Sequence, residues 1–223
     1  MEPRPGGSPR HACRGAPVVG LRRRQIDNGY HLAWDAQIGD DVARVNAIRY
    51  VPTDEKVMRH ILSSVLQGED PHRFSFVDLG CGKGHTLVIA SQFAFQEVIG
   101  VEISELHAAL AEENIKSYLA HPRSAKALCR NLRVVCDNAA TVDLPEGDVL
   151  VYMYRPFLGP LFEAVADRLS LLRARSKRRI WVTFSAPHEE YMFARRPDFR
   201  MLRQYGLISR EYSWSLWEVQ SRN

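Results

Sequence analysis

Residues 76–84 read Phe-Val-Asp-Leu-Gly-Cys-Gly-Lys-Gly, a short apolar run that ends in an acid and passes into three alternate glycines. A second apolar run, residues 98–101, ends in Glu102. The pattern predicts a buried strand, a tight turn, a helix, and then a second strand that ends in a carboxylate. Glycines let main-chain N–H groups approach a ligand closely, and a carboxylate can accept hydrogen bonds from both hydroxyls of a ribose. We therefore expect a cofactor that contains a nucleoside.

Two other nucleotide-binding loops do not fit this stretch. The dinucleotide fingerprint G-x-G-x-x-G, counted from Gly80 and Gly82, needs glycine at a position where the chain has His85. The phosphate-binding loop G-x-x-x-x-G-K-[ST] does not occur in the chain. Alternate glycines after an acid suit a cofactor without phosphate, whose zwitterionic amino-acid tail lies against the loop.

The rest of the chain alternates strand-like and helix-like patterns. Strands are predicted at residues 74–79, 97–102, 132–136, 149–154, 179–184 and 213–220, and helices at residues 85–94, 105–120 and 158–174. A further helix, with Thr53 as its N-cap, is predicted to end at Gly68. Strands separated by helices imply right-handed crossovers and a parallel sheet. Residues 200–205 and 213–220 break the alternation, so the expected fold class is α/β: a Rossmann-like doubly wound sheet, mostly parallel, with a C-terminal antiparallel hairpin.

Length and composition predict one folded domain. The chain has 223 residues, 45% of them apolar and 25% charged, and no uncharged apolar run long enough to span a membrane. Residues 1–20 are rich in Pro, Gly and Arg and are expected to form a disordered tail. Residues 21–53 are expected to form an extension or lid over the active site, and residues 54–223 the domain itself.

The four cysteines indicate a reducing compartment. They stand at positions 13, 81, 129 and 136 without a CxxC pair or a regular spacing. They are therefore expected to be separate thiols, with no disulfide framework and no metal site, in a cytoplasmic protein.

The motifs resemble those of a known enzyme family. Residues 78–84, together with Val101 and Glu102, resemble the first two motifs of class I, seven-strand S-adenosylmethionine-dependent methyltransferases. Residues 136–140 resemble the third motif, and the resemblance extends over about residues 50 to 220. It implies the methyltransferase architecture, S-adenosyl-L-methionine as the cofactor, and methyl transfer to an acceptor that the motifs do not identify.

The resemblance also implies a set of cofactor-binding residues. The glycines line the methionine and ribose, Asp78 holds the glycine loop, Glu102 binds the ribose hydroxyls and Ile103 packs on the adenine. The family usually has Gly-Asp-Ala at positions 137–139, so either Asp137 or Asn138 meets the adenine amino group. The full expected set is Asp78, Gly80, Cys81, Gly82, Gly84, Glu102, Ile103, Asp137, Asn138, Ala139, Tyr154, Tyr50 and Thr53.

Tyr50 and Thr53 belong to this set for a separate reason. Thr53 and the N–H groups that follow it could meet the cofactor carboxylate, because they open a helix just before the first strand. Residues 50–53 resemble the segment before the first motif in certain seven-strand protein-lysine methyltransferases. A simple helix cap explains Thr53 equally well.

The acceptor side is expected at the end of the fourth strand, where open α/β sheets bind ligands. Residues 154–157 resemble the Asn-Pro-Phe loop by which several methyltransferases hold a substrate nitrogen, but Arg155 replaces the asparagine. Arginine donates hydrogen bonds and accepts none, so Arg155 could bind an acidic group of the substrate or pair with a surface acid. Arg155 and Phe157 are the substrate-side candidates. No catalytic base is assigned, although Tyr154, Tyr50, His188 and Glu189 are candidates for one.

The sequence is consistent with three functions. A methyltransferase could act on a protein lysine, as residues 50–53 suggest, or on a small molecule, as the compact chain suggests. A catalytically silent module could instead bind nucleic acid or protein through the basic residues of segment 173–179. Nucleic acid is not favoured, because basic residues at the end of a helix also complement its dipole. No membrane partner is expected, and the oligomeric state is left open.

Overall fold

The computed structural model describes residues 52–155, 159–185, 193–206 and 213–221. Seven strands form one sheet, and they are β1 (Phe74–Leu79), β2 (Val98–Glu102), β3 (Leu132–Cys136), β4 (Asp148–Tyr154), β5 (Ile180–Ser185), β6 (Phe199–Tyr205) and β7 (Trp214–Val219). Their order is β3-β2-β1-β4-β5-β7-β6, and every neighbouring pair is parallel except β5–β7 and β6–β7. The predicted fold class, including the C-terminal hairpin, is confirmed.

Four α-helices are described, and they are α1 (Glu55–Val65), α2 (His85–Ala90), α3 (Glu105–Ala120) and α4 (Gly159–Ala174). Two short 3₁₀ turns lie at Pro71–Arg73 and Pro122–Lys126. No helix in the described ranges is both long enough and apolar enough to cross a lipid bilayer.

The helices pack on two faces of the sheet because the strand side chains alternate between the faces. On one face, side chains of α1, α2 and α3 form a core with Phe76, Leu150 and Leu216. On the other face, α4 packs over Val77 and Val151. β1, β2 and β5 are buried along their whole length, as expected for the centre of a parallel sheet.

Two local predictions are wrong. Thr53 is not the N-cap of α1, because the Asp54 carboxylate accepts the N–H groups of Lys56 and Val57. Helix α2 ends at Ala90 instead of residue 94. It stops there because the next carbonyl, that of Ser91, leaves the helix and accepts N–H groups from the segment before β3.

The connection between β3 and β4 is a compact turn within the described residues. The carbonyl oxygen of Asn138 accepts the N–H groups of Thr141 and Val142. Val142 is buried in the core, and Ala139 packs against the same core. This turn brings the third motif to the same edge of the sheet as the ends of β1 and β2.

Among the described residues, Cys81, Cys129 and Cys136 form no disulfide. Cys13 lies outside the described residues. Residues 1–20 and most of the extension at residues 21–53 also lie outside them.

Candidate active site

The glycine loop connects β1 to α2 at the carboxyl edge of the sheet. Gly80, Gly82 and Gly84 have φ angles of 88°, 53° and 78°, a left-handed region that side chains disfavour. The N–H groups of Gly80 and Cys81 donate to the carbonyl oxygen of Val101, at 2.8 and 3.0 Å, which fixes the loop to the end of β2. The left-handed backbone at these three positions therefore requires glycine.

Glu102 holds this loop through its carboxylate. Its Oε2 accepts the N–H of Gly82 at 2.9 Å, and its Oε1 accepts the N–H of Ser104 at 2.9 Å. Burial raises the pKa of Glu102, while these backbone donors lower it. A carboxylate offers about four acceptor positions, so both oxygens can still accept hydrogen bonds from a ligand.

Asp78 is buried beneath the loop, at the end of β1. Its carboxylate accepts a hydrogen bond from the hydroxyl of Thr86, in the first turn of α2. Burial raises the pKa of Asp78 from 3.8 to about 7; the Thr86 hydrogen bond opposes this rise and the nearby Glu102 adds to it. Asp78 therefore anchors α2, and Glu102 binds the N–H of Gly82 in the loop.

Tyr152 is a site residue that the sequence analysis did not single out. It lies opposite Asp78 in the β1–β4 register, and its hydroxyl lies 2.9 Å from the hydroxyl of Thr53. Both side chains are buried, and burial raises the pKa of the Tyr152 phenol. One signal could have identified it: Tyr152 precedes Tyr154 by two residues, so both face the same side of a strand next to β1.

Thr53 is thereby attached to β4 at the edge where the glycine loop lies. The hydroxyl of Thr53 is hydrogen-bonded to Tyr152, and the N-cap of α1 is Asp54. Tyr50, which the sequence analysis grouped with Thr53, lies outside the described residues.

Arg155 directly follows β4 in an unusual backbone conformation. Its φ is +43°, the one positive φ of a non-glycine residue in the described chain. Left-handed backbone costs an L-residue about 1 to 2 kcal/mol. The guanidinium carbon lies 5.8 Å from the centre of the Tyr154 ring, and the buried Nε has no hydrogen-bond partner. Phe157, His188 and Glu189 lie outside the described residues.

The third motif forms a tight turn beside Glu102. The N–H of Asp137 donates to the carbonyl oxygen of Glu102 at 3.1 Å. The Asp137 carboxylate accepts the N–H of Asn138 at 2.7 Å, and the Asn138 side-chain oxygen accepts the N–H of Ala140 at 2.9 Å. The ends of β1, β2 and β3 thus bring the predicted methionine, ribose and adenine residues to one edge, although both Asp137 and Asn138 already hold the turn.

Cys81 has a structural role under the loop. A Cβ on Gly100 would lie only 2.5 Å from the Cys81 sulfur, so the thiol occupies the space above this glycine. Burial, with Glu102 and Asp78 nearby, raises the pKa of the thiol. Within the described ranges, no group of three or more His, Cys, Asp or Glu side chains is arranged to hold a metal ion.

The basic residues of segment 173–179 lie at the opposite edge of the sheet, between the end of α4 and the start of β5. Arg179 donates to Asp148 and Glu69 and stacks over the rings of Phe74 and Trp181. Arg173 and Arg178 donate to backbone carbonyl oxygens. Three of the cluster's arginines therefore hold the fold together, away from the glycine loop.

Comparison with known proteins agrees with this geometry. Residues 72–150, which contain the glycine loop and Glu102, match a family described as "Putative methyltransferase". The strand order, with its C-terminal antiparallel hairpin, is that of the class I methyltransferase fold. No curated protein sequence matches it.

Solved structures share the fold of this chain at low sequence identity. Magnesium protoporphyrin IX methyltransferase from Synechocystis PCC 6803, solved with bound S-adenosylmethionine, is 21% identical, with a TM-score of 0.51 over 75% of this chain and 79% of the other. Its complex with bound SAH aligns at 18% identity and a TM-score of 0.50, over 75% and 83% of the two chains. The Escherichia coli methyltransferase yhhF is 18% identical, with a TM-score of 0.51 over 77% and 88%. These likenesses describe the fold alone.

Proposed function

We propose that this methyltransferase transfers the methyl group of S-adenosyl-L-methionine to a small-molecule acceptor. The observation that carries the cofactor assignment is the glycine loop: three left-handed glycines whose central N–H is bound by the carboxylate at the end of β2. This arrangement would place main chain along one side of a ligand and the Glu102 carboxylate, with acceptor positions to spare, beside it.

The residues at this edge fit the proposed cofactor. The loop from Gly80 to Gly84 would lie against its methionine part, and Glu102 has acceptor positions free for the ribose hydroxyls. Burial raises the pKa of Asp78 to about 7, and the ammonium group of the cofactor would favour the charged form of this carboxylate. Ile103 and Ala139 are partly buried apolar side chains beside Glu102, on the adenine side.

Methyl transfer depends mainly on the position of the acceptor atom relative to the methyl group. When bound, the cofactor supplies an electrophilic methyl group on a sulfonium, and the protein must hold the acceptor atom in line with it. Tyr154 and Arg155 stand at the end of β4, next to the strand that leads into the glycine loop. The Tyr152 phenol stays neutral at physiological pH, because burial raises its pKa. We assign no catalytic base.

A small-molecule acceptor fits this edge better than a protein lysine. Arg155 places a permanent positive charge on the acceptor side, and a lysine ammonium would be repelled by it. The resemblance of residues 50–53 to lysine methyltransferases is the argument for the protein acceptor. The hydrogen bond between Thr53 and Tyr152 gives Thr53 a structural role, so this resemblance is a weaker argument for a lysine acceptor.

A silent module that binds nucleic acid through the basic cluster is the second candidate. It is less well supported, because Arg179 already pairs with Asp148 and Glu69. We further propose a cytoplasmic location, which the free thiols support. The lid role of residues 21–53 also stays a proposal.

Labelled cofactor tests the proposed function. Cell lysate is incubated with the full chain and S-adenosylmethionine that carries a radioactive methyl group. We expect a labelled small molecule other than the cofactor, absent from lysate without the added chain, and much less of it when the Glu102→Gln variant is used. Label confined to a protein band would contradict the small-molecule acceptor, and no transfer to any fraction would favour the silent module.

A further inference from the structure

We propose that Arg155 binds an anionic group, a carboxylate or a phosphate, of the methyl acceptor. This inference rests on the proposed function, and it adds the chemical class of the substrate. It is carried by the place of Arg155 in the sheet, by its backbone conformation, and by the state of its guanidinium group.

The first step is the place of Arg155. It is the first residue beyond β4, and the strands on either side of β4 end beside it: Asp78 pairs with Tyr152, and Ser185 pairs with Tyr154. Ligands of open parallel sheets bind outside the carboxyl ends of the central strands. The side chain therefore starts at the edge where the acceptor must meet the cofactor.

The second step is the backbone. A φ of +43° is adopted readily by glycine and tolerated by asparagine, but disfavoured by a long side chain. Backbone strain of this kind persists where the surrounding structure enforces it, and it clusters at functional sites. The backbone preference of arginine therefore does not explain why arginine stands at this position, and we look to a role of its side chain.

The third step is the charge. Two other partly buried arginines have carboxylate partners: Arg179 pairs with Asp148 and Glu69, and Arg196 pairs with Glu163, Asp167 and Asp198. Arg173 and Arg178 donate to backbone carbonyl oxygens instead. Arg155 has no such ion pair within the described ranges. Its guanidinium faces the ring of Tyr154, and its Nε is buried without a partner.

The fourth step is the ligand that this group fits. A guanidinium is planar and offers paired donors, which match the two oxygens of a carboxylate or a phosphate. It cannot accept a hydrogen bond from an amine or a hydroxyl. Arg155 is therefore suited to orient the acceptor through an anionic group, while the nucleophilic atom points to the methyl group.

The experiment uses the full chain saturated with S-adenosylhomocysteine. Inorganic phosphate and, separately, acetate are titrated at constant ionic strength, and binding is measured in every variant from the backbone amide shifts in NMR spectra; in the wild type the Nε–H signal of Arg155 is followed as well. We compare wild type with Arg155→Gln, Arg155→Lys and the control Arg175→Gln, an exposed arginine at the opposite edge of the sheet. Arg155→Asn is a fourth variant, because asparagine tolerates the left-handed backbone and so guards against misfolding.

We expect saturable binding of at least one anion in the millimolar range. The affinity should fall about tenfold in Arg155→Gln and Arg155→Asn, should fall less in Arg155→Lys, and should be unchanged in Arg175→Gln. The anion that binds more tightly indicates whether the acceptor carries a phosphate or a carboxylate.

Two results would overturn the inference. One is the absence of saturable binding of both anions, or equal binding by wild type and Arg155→Gln. The other is a tenfold loss of S-adenosylhomocysteine affinity in Arg155→Gln, which would place the guanidinium on the cofactor's own carboxylate. Failure of the wild type to bind S-adenosylhomocysteine would instead contradict the proposed function, so the two failures are distinct.

Discussion

Replacing Asp78 with asparagine should stabilise the protein without cofactor, and should do so more strongly as the pH rises. Asp78 is buried, and burial raises its pKa from 3.8 to about 7. Asparagine has nearly the same size and keeps an oxygen that can accept the hydrogen bond from Thr86. The substitution therefore removes a buried charge and leaves the packing almost unchanged.

The pKa of Asp78 gives the magnitude. Between about pH 4 and pH 7, the folded protein keeps a proton that the unfolded chain has released, so stability falls as the pH rises through this window. Each pKa unit corresponds to about 1.4 kcal/mol. Relative to a pH below both pKa values, the free energy of unfolding of the wild type is therefore lower by about 2 kcal/mol at pH 5 and by about 4 kcal/mol above pH 8. Asparagine does not titrate, so the stability difference between variant and wild type should widen by about 2 to 3 kcal/mol between these two pH values.

Urea unfolding of wild type and Asp78→Asn, at pH 5 and pH 8.5 without cofactor, measures this difference. The matched control is Glu112→Gln, an exposed acid on α3, for which the difference should not change with pH. The same Asp78→Asn variant should bind S-adenosylhomocysteine more weakly, because it cannot pair with the ligand's ammonium group. A stability difference that is constant or that narrows at pH 8.5 would refute the reasoning.

Two further substitutions test the packing around the site. Gly100→Ala places a methyl group 2.5 Å from the Cys81 sulfur and 2.6 Å from a Leu87 methyl carbon, and should lower the free energy of unfolding by about 1 to 3 kcal/mol. Adding Cys81→Ala should recover part of that loss in urea unfolding, and an unchanged midpoint for Gly100→Ala would contradict the packing. Thr53→Val leaves the buried Tyr152 hydroxyl without its partner and should cost about 1 to 3 kcal/mol. In a double-mutant cycle with Tyr152→Phe, strictly additive losses would show that the two hydroxyls do not interact.

Much of the sheet could be predicted from local sequence. The predicted bounds of β1, β3 and α3 agree with the structure, and the remaining described strands differ by about one residue at their ends. Central parallel strands are short apolar runs buried on both faces, and the glycine loop and the helices separate them clearly. The positions of Asp78 and Glu102 at strand ends follow from the same pattern.

The contacts made by the site residues depended on distant parts of the chain. Both Thr53 and Asp54 are good capping residues, and the sequence does not show that the Thr53 hydroxyl is bound to Tyr152, 99 positions away. The hydrogen bond from Gly82 to Glu102 likewise joins two segments that meet only because β1 and β2 pair in a given register. The left-handed backbone of Arg155 runs against the preference of arginine, so local propensity does not predict it.

The measurement that tests the central claim most directly is calorimetric titration of the full chain with S-adenosylhomocysteine. We expect wild type to bind with micromolar affinity, and Glu102→Gln to bind at least about tenfold more weakly, because its amide nitrogen cannot accept hydrogen bonds. Glu113→Gln, an exposed substitution on α3, should bind as wild type does. Absence of binding by the wild type, or equal binding by Glu102→Gln and wild type, would contradict the assignment of this edge as the cofactor site.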